Sequence, residues 1–432
     1  MDATTCVVPT AEPRTTGPRA GAHVAPASGP AVVSAVLPEH ADVVVVGAGC
    51  VGLATALRIG STEPGRSVVV LEARRGADPR SWCSWDDGSD PLPEARSASW
   101  TRWEVRTDRG TSCGSDPEHP YVLVRAADRR AAVERRLGAK EAAVRIVDGA
   151  AVSGVTRADD DLVVRSTAGT LRADSVLDAR GPRCPERVRP GRVLLHQRFV
   201  GRWVTSSRAV FDPTTVTLMD STGRVDTDRV HFLYVLPVSR TRALVESTVF
   251  TADAADPVDH RAEIAAYVRQ RWGLSDDEWW TDDEEQGCIP MSDALPADLV
   301  ADPDQPGAHV LGTTRPSSGY GFARGNRHAA VVARHVLAGT PVPPLTDRAR
   351  TRFLDAVFLR FLRDRPDRAP EVFRRMFALP GPLVVRFLTE RSTLVDDVRL
   401  VLALPKRPFL AALASTVTDG FVRLGDRTRG RS

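Results

Sequence analysis

Three glycines near the start of the folded chain have the type and spacing needed to bind a cofactor. Gly47, Gly49 and Gly52 form a GxGxxG motif between an apolar β-branched run and a pattern of helical spacing. In a βαβ unit such glycines allow a tight turn, close approach of the backbone to a pyrophosphate, and close packing of the helix on the strand. Glu72 ends the next β-branched run, where a carboxylate accepts hydrogen bonds from a ribose hydroxyl. The stretch 42–72 therefore predicts a dinucleotide site.

A second candidate is a single carboxyl group in an apolar strand pattern. Glu246 shares a predicted strand face with Leu244 and Thr248. Burial beside apolar neighbours keeps a carboxyl group protonated near neutral pH, as a proton donor requires. From the residues alone, a structural carboxylate paired with Arg242 or Arg198 is the alternative.

Two tryptophans and two acids form a third cluster. Trp82, Trp85, Asp86 and Asp87 lie in a stretch without a clear helix or strand pattern. The indole rings could lie against a flat ligand and shield a cation, or they could simply anchor a surface loop. Asp86, Asp87 and Asp220, which ends a later strand pattern, are reserve candidates for a second proton transfer.

A later loop adds a candidate contact to the nucleotide. The loop from Arg315 through Gly319 to Tyr320 lies between a strand pattern and a helix pattern. A strand, a glycine-containing loop and a helix late in such a chain would return to the nucleotide and offer another helix N-terminus. Arg125, at the end of an earlier strand pattern, is assigned to the same side.

Composition limits the class of protein. The 432 residues carry a formal net charge of +3, too small to indicate nucleic-acid binding. Six scattered cysteines without CxxC spacing argue against a metal site and for a reducing, cytoplasmic setting. No apolar run reaches the roughly 18 residues of a membrane-spanning helix, and no secretory signal is recognisable.

The organisation of the chain follows from its changing periodicity. We expect a disordered leader, a nucleotide-binding part, an antiparallel substrate lobe, a return to the nucleotide-binding part and a helical C-terminal segment. The respective ranges are 1–38, 39–185, 186–285, 286–345 and 346–432. Asp128 is predicted to cap a helix that begins at residue 129.

The helical C-terminal segment has two interpretations. Apolar residues recur at helical spacing with arginines on other faces, as in Phe353, Leu354, Val357, Phe358, Phe361 and Leu362. One interpretation is a helical cap on the core. The other is an arginine-rimmed apolar surface that lies on a membrane and admits a hydrophobic substrate.

Several motifs together resemble the flavin-dependent lycopene cyclases of the bacterial β-cyclase type, over about residues 42–412. They are Gly47–Gly52, Trp82–Asp87, Asp178–Gly181, Gln197–Gly201, Leu218–Asp220, Val245–Thr248, Gly287–Met291 and Arg315–Tyr320. The resemblance implies an α/β flavoprotein with a Rossmann-like FAD-binding domain, an antiparallel β substrate lobe and a C-terminal helical segment. In this family the strand motif carries two adjacent acids, whereas this chain has Glu246 followed by Ser247. The family's Asp-Gly-Arg-Gly turn has Ala179 at its second position here.

The resemblance also implies a reaction. The family closes rings at the ends of lycopene and other linear carotenoids, giving γ- and then β-carotene without net redox change. Reduced FAD is implied as cofactor and NAD(P)H as reductant. Since lycopene is insoluble in water and its source must be the bilayer, we expect the C-terminal segment to hold the protein peripherally on the membrane surface. Two other classes remain open: a flavin monooxygenase or dehydrogenase acting on a hydrophobic substrate, and a carotenoid-binding protein without catalysis.

Overall fold

A computed structural model describes residues 37–429, except 77, 160, 182–184, 186–187, 254, 256–257, 295–298, 300–307 and 312–313. The predicted leader lies outside the described residues apart from 37 and 38. The first half of the strands comprises β1 (His40–Val46), β2 (Val68–Glu72), β3 (Ser81–Trp85), β4 (Ala98–Trp100), β5 (Arg102–Thr107), β6 (Gly110–Ser115), β7 (Tyr121–Arg125), β8 (Val144–Asp148) and β9 (Val152–Ala158). The later strands are β10 (Asp161–Ser166), β11 (Gly169–Asp178), β12 (Leu194–Ser206), β13 (Thr215–Asp220), β14 (Arg229–Pro237), β15 (Arg242–Thr251), β16 (Trp279–Ser292) and β17 (Ala308–Val310). The helices are α1 (Cys50–Thr62), α2 (Ala126–Gly138), α3 (His260–Trp272), α4 (Phe322–Leu337), α5 (Ala349–Asp364), α6 (Ala369–Phe377), α7 (Gly381–Leu388), α8 (Leu394–Ala403) and α9 (Lys406–Arg429).

The first sheet is a parallel sheet extended by a hairpin. Its order is β8-β2-β1-β11-β10-β9, and β17 pairs with the end of β11. Strands β8, β2, β1, β11 and β17 are parallel, whereas β10 is antiparallel to both β11 and β9. The valines of β1 are fully or almost fully buried, because helices or other chain segments cover both faces of the strand. The carboxyl ends of β1 and β11 meet at one edge of the sheet, where a ligand site is expected.

The second sheet is the lobe predicted to hold the substrate. Its order is β16-β12-β15-β14-β13-β5-β6, and every pair is antiparallel except β13 with β5. Strands β5 and β6 lie within the range 39–185 that is predicted to form the first part of the nucleotide-binding domain. In the structure they belong to the second sheet, and Trp103 and Val105 of β5 are buried in its core.

The cluster of tryptophans and acids lies partly in a strand, contrary to the expectation of a loop. Strand β3 contains Trp82 and Trp85 and pairs with β7 in a three-stranded sheet of order β3-β7-β4. Residues at odd positions of β3 face one side of this sheet and residues at even positions face the other. No local pattern marks this strand, because its pairing partner β7 lies about forty residues further along the chain.

The C-terminal helices α5, α6 and α7 are a cap on the core. The cap and the sheets share one hydrophobic core, which contains Phe361, Leu362, Phe373 and Val384 of the helices and Trp85, Trp103 and Tyr234 of the sheets. For these three helices the cap interpretation is therefore correct. The predicted cap of α2 is wrong: the helix begins at Ala126 with Arg125 as N-cap, and Asp128 lies in its first turn, where it accepts a hydrogen bond from Ser97.

No helix among the described residues combines the length and the apolar character needed to cross a bilayer.

Candidate functional site

The glycine turn has open space where a pyrophosphate would approach. Gly47 adopts φ +101°, a conformation that favours glycine. A Cβ at Gly52 would lie 2.0 Å from the Gly47 carbonyl oxygen, so helix α1 packs directly on the turn. By contrast, a Cβ at Gly49 would have no neighbour within 4 Å. The turn is therefore closed on the protein side and open at Gly49.

Two helix N-termini meet beside this turn. A Cβ at Gly325, in the first turn of α4, would lie 2.5 Å from Cγ2 of Val51 in the first turn of α1. Neither helix has an acidic residue in its first turn or a side-chain cap. Their N–H groups and dipoles therefore favour an anion at this place.

Glu72 is held at the end of β2 by two backbone groups. Its Oε2 accepts a hydrogen bond from the amide of Ala48 at 2.8 Å, and its Oε1 accepts one from Arg74 at 2.9 Å. Each oxygen keeps a further lone pair for another donor. The carboxylate is thus fixed beside the glycine turn with acceptor capacity left.

Glu246 lies in a row of side chains that crosses the second sheet. In the register of strands β14, β15, β12 and β16, the residues side by side are Tyr234, Glu246, Gly201 and Glu285. Neighbours in register point to the same face of a sheet. Strand pairing alone therefore brings two carboxyl groups, Glu246 and Glu285, to either side of a glycine.

Gly201 leaves a gap between the two acids. A Cβ built on Gly201 would lie 3.2 Å from Cγ of Glu285 and 3.5 Å from Oε2 of Glu246. Glu285 is only 4% exposed, and its Oε2 has no hydrogen-bond partner among the described residues. Glu246 is half-buried, and its Oε1 accepts a hydrogen bond of 2.6 Å from Thr248. Glu246 has no ion pair among the described residues, and Arg242 pairs with Asp282 instead.

Both carboxyl groups have raised pKa values. Burial raises the pKa of Glu246 to about 8, although the Thr248 hydrogen bond opposes the shift and the charge of Glu285 adds to it. Burial likewise raises the pKa of Glu285 to about 7, opposed by Ser81 and by the charge of Arg125. A buried acid near neutral pH can hold a proton and give it up.

A chain of tyrosine hydroxyl groups leads from the row of Tyr234, Glu246, Gly201 and Glu285 to the three-stranded sheet β3-β7-β4. Tyr234 donates a hydrogen bond of 2.6 Å to Tyr121, and the hydroxyl groups of Tyr121 and Tyr320 are 3.3 Å apart. Burial raises the pKa of Tyr320 to about 12, so the phenol stays neutral. The face thus carries neutral polar groups in an otherwise apolar core.

Asp220 is wrongly placed for the second proton transfer. It pairs in register with Leu233, on the face of the sheet that α3 covers, and accepts a hydrogen bond of 2.9 Å from Tyr267 of that helix. It also forms an ion pair of 3.1 Å with Arg106. Glu246 faces the other way, since it alternates with residues that contact α3.

Asp86 and Asp87, the other reserve candidates for the second proton transfer, are each paired with an arginine. Asp86 forms an ion pair of 2.9 Å with Arg96. Asp87 pairs with Arg327, and although burial raises its pKa, the Ser89 hydrogen bond and the Arg327 charge lower it overall. The lowered pKa makes Asp87 a weak proton acceptor.

Trp82 and Trp85 lie on opposite sides of β3. Trp85 is 1% exposed, with its ring centroid 4.6 Å from that of Trp103 and 4.8 Å from that of Tyr121. Trp82 stacks on Phe322 at the start of α4, with centroids 6.4 Å apart. Positions three residues apart in a strand face opposite ways, so the two rings do not form one platform. Trp85 lies on the side of the acid row, and Trp82 lies on the side of α4.

The side chains assigned to the flavin have other partners. Arg125 donates a hydrogen bond of 2.7 Å to Asp283 and lies over the ring of Trp203. Arg315 is 2% exposed and binds Asp355 of α5 at 3.0 Å. These guanidinium groups connect parts of the protein, and their assignment to the flavin side stays a prediction.

The rest of the predicted flavin loop lies against the second sheet. Gly319 adopts φ +70°, and a Cβ there would lie 2.4 Å from Oε1 of Gln197 in β12. Tyr320 belongs to the tyrosine cluster beside the acid row. The loop therefore lies between α4, which begins next to the glycine turn, and the face of the sheet that carries Glu246.

Sequence reasoning missed Glu285. It lies in the acidic run Asp282–Glu285, which reads as a solvated strand edge. Its neighbour Glu284 does face α3 and pairs with Arg202 and Arg261. The pairing of β16 with β12 places Glu284 and Glu285 on opposite faces of the sheet. The sequence feature that could have indicated this is the strand pattern that continues from these acids to Met291.

The fold and the site define a class. A parallel sheet with a GxGxxG turn is joined to an antiparallel lobe whose inner face carries buried acids, as in two-domain dinucleotide-dependent enzymes. A sequence profile described as lycopene cyclase protein matches residues 42–414. The chain therefore belongs to the lycopene cyclase family.

Individual relatives agree with this assignment. The chain is 29% identical over 410 residues to a lycopene beta-cyclase of Paracoccus sp., covering 86% of this chain and 96% of that protein. It is 26% identical over 409 residues to the lycopene beta-cyclase of Pantoea ananas, covering 88% and 98%. Among solved structures, a flavoprotein/dehydrogenase from Cytophaga hutchinsonii has a TM-score of 0.57 at 14% identity and covers 90% of this chain and 100% of that one. These findings confirm the predicted family and the α/β fold class with an antiparallel lobe and C-terminal helices.

Proposed function

We propose that the protein is a lycopene β-cyclase that converts lycopene to γ-carotene and β-carotene by proton-initiated ring closure. The observation that carries the proposal is Glu246, a carboxyl group without an ion pair among the described residues and with a pKa of about 8. Such a group is protonated at neutral pH and can act as a general acid. The family membership supplies the substrate class.

The residues around Glu246 fit proton transfer to an alkene. Glu246 gives its proton to the terminal double bond, the next double bond attacks the cation, and loss of a proton from the ring completes the reaction. One proton is gained and one is lost, so the substrate keeps its mass. The row lies in a core rich in aromatic rings, including Trp85, whose faces can stabilise a cation. The same core excludes water, which would otherwise capture the cation.

FAD is the cofactor we propose, with Gly47, Gly49 and Gly52 at the pyrophosphate and Glu72 at the ribose. The open space at Gly49 and the two helix N-termini support this assignment. When bound in its reduced, anionic form, FAD supplies negative charge next to a developing cation. NAD(P)H is the proposed source of the electrons that keep it reduced.

A peripheral position on the cytoplasmic face of the membrane completes the proposal, and helix α8 supports it. Its acids Asp396 and Asp397 point inward to Arg386 and Arg350. Its apolar residues point outward instead: Leu394, Val395, Val398, Val401 and Leu402 are 47–67% exposed. These five residues, which we call the α8 stripe, have exposed basic side chains beside them in Arg399 and Arg407. An apolar stripe with basic neighbours suits an anionic bilayer, where an insoluble polyene is dissolved.

The proposal is tested in a host that accumulates lycopene. We expect expression of the intact chain to produce β-carotene, identified by chromatography and by a mass equal to that of lycopene. The variant Glu246→Gln should leave lycopene uncyclised. Products with added oxygen or fewer hydrogens would instead indicate a monooxygenase or a dehydrogenase, and unchanged lycopene with the intact chain would refute the proposal.

A further inference from the structure

We propose that Glu285 is the second acid of the reaction and takes the proton from the cyclised cation. This inference rests on the proposed function. It is carried by the register that places Glu285 beside Gly201 and, across it, Glu246.

Position 247 cannot supply this acid. Family members have a second acid directly after the one at position 246, but adjacent residues of a strand point to opposite faces. In this chain Ser247 is fully buried on the α3 face, where His231 and His260 bond to its hydroxyl group at 3.0 and 2.9 Å. An acid that shares a face with Glu246 must therefore come from another strand.

Glu285 meets the requirements for such an acid. It is 4% exposed, and its Oε2 has no hydrogen-bond partner among the described residues, although unpaired buried carboxylate oxygens are costly. The gap at Gly201 brings Cγ of Glu285 and Oε2 of Glu246 within 3.5 Å of one point. The charge of Glu285 also raises the pKa of Glu246, so the two carboxyl groups do not both ionise readily and the pair holds one proton near neutral pH.

The proton balance of the pair is complete. Before turnover Glu246 carries the proton and Glu285 is ionised. Glu246 protonates the terminal double bond, and Glu285 removes the ring proton as the new ring double bond forms. Transfer of that proton from Glu285 back to Glu246 across the Gly201 gap restores the starting state without any other reactant.

Other charged and titratable groups near the pair act on its pKa values. Arg125 lowers the pKa of Glu285 and Asp283 raises it, while Ser81 lowers it by hydrogen bonding. Among the described residues, the charges of the pair also raise the pKa values of Arg80, Cys83 and Tyr320. None of these three side chains carries a carboxyl group that could replace Glu285.

The activity of the intact chain should have a bell-shaped pH profile. It falls below a pKa of about 7, where Glu285 becomes protonated, and above about 8, where Glu246 loses its proton. In Glu285→Gln we expect the rate of ring closure to fall about a hundredfold and the acidic limb to disappear. Glu285→Asp should keep the acidic limb with part of the rate.

Two control variants separate this role from a structural one. Glu284→Gln changes the next acid of the same strand, on the α3 face, and should leave rate and pH profile unchanged. The double variant Ser247→Glu/Glu285→Gln restores the family's acid on the wrong face and should stay as slow as Glu285→Gln. Recovery of activity in the double variant, or an acidic limb that persists in Glu285→Gln, would overturn the proposal.

A measurement without turnover tests the pair by itself. Infrared difference spectra of the holoenzyme against Glu246→Gln report the C=O stretch of protonated Glu246 as pH is changed. In Glu285→Gln the titration of this band should move to lower pH by on the order of one unit, since a like charge is removed. An unmoved titration would refute the pairing. Absence of cyclised product from the intact chain would refute the proposed function and the base role, while this titration still decides whether the carboxyl groups interact.

Discussion

The raised pKa of Glu246 makes both the activity and the stability of the protein fall as the pH rises through about 8. Glu246→Gln replaces the carboxyl group with a neutral amide of nearly the same shape, so the fold and FAD content should be retained. Because only protonated Glu246 donates, activity of the intact chain at pH 9 should be about one tenth of its maximum if the pKa is about 8. Glu246→Gln should lose at least about a hundredfold at every pH.

The stability of the fold depends on the same ionisation. The pKa of Glu246 is about 8 in the folded protein against 4.5 ordinarily, so protonation stabilises the fold fully below 4.5. That stabilisation is lost as the pH rises through about 8. The full shift corresponds to no more than about 5 kcal/mol, and partial exposure of the side chain reduces it through solvent screening. We therefore expect Glu246→Gln to gain about 1–2 kcal/mol of unfolding free energy, relative to the intact chain, between pH 5 and pH 9.

Denaturant titrations at several pH values measure this gain, and pigment chromatography measures the rate. Thr248→Val is a matched variant, because it removes the hydrogen bond that lowers the pKa of Glu246 and should move the alkaline limb of activity to higher pH. The reasoning is refuted if Glu246→Gln and the intact chain show the same pH dependence of stability, or if Glu246→Gln cyclises lycopene at close to the normal rate.

Three further predictions concern the cofactor, the membrane and the cap. Gly49→Val should fill the open space of the turn and reduce FAD retained on purification at least tenfold, whereas Gly154→Ala, in the hairpin strand β9, should retain it; equal flavin absorbance in both would contradict the assignment. Replacing Val398 and Leu402 of the α8 stripe with serine should abolish flotation with anionic liposomes without lowering the thermal unfolding temperature, and undiminished flotation would place the contact elsewhere. Asp355→Ala leaves the buried Arg315 without its carboxylate and should cost about 3–5 kcal/mol of unfolding free energy; a loss below 1 kcal/mol in denaturant titration would show that the pair is not a structural link.

Local patterns were sufficient for strands β1 and β2, helix α1 and the glycine turn. The motif from Gly47 to Gly52, the adjacent β-branched runs and Glu72 lie within thirty residues, so their geometry follows from short-range constraints. The face of Glu246 also followed from alternation along one strand. In both cases the geometry is determined by residues that are close together in the sequence.

The errors share a different cause. The arginine partner of Asp87, the register that brings Glu285 beside Glu246, and the face of Asp220 all depend on contacts between segments far apart in sequence. A carboxylate in a sequence looks the same whether an arginine neutralises it or apolar residues surround it. The amphipathic pattern of the C-terminal helices likewise does not say which apolar face meets the core, and the exposed stripe lies on α8 and not on α5.

The buried contact between Arg315 and α5 affects how the protein is made. The guanidinium group of Arg315 bonds to Asp355 and to the carbonyl oxygen of Phe387, and its loop leads into α4 beside the glycine turn. During synthesis these partners leave the ribosome only after the parallel sheet and the antiparallel lobe have been completed. Until then the guanidinium group of Arg315 lacks the carboxylate and the carbonyl oxygen that bind it in the interior, so we expect its loop to reach its final position only afterwards. The proposed FAD site is consequently finished late, and a chain cut before α7 would carry the glycine motif intact without the support that its second helix N-terminus needs.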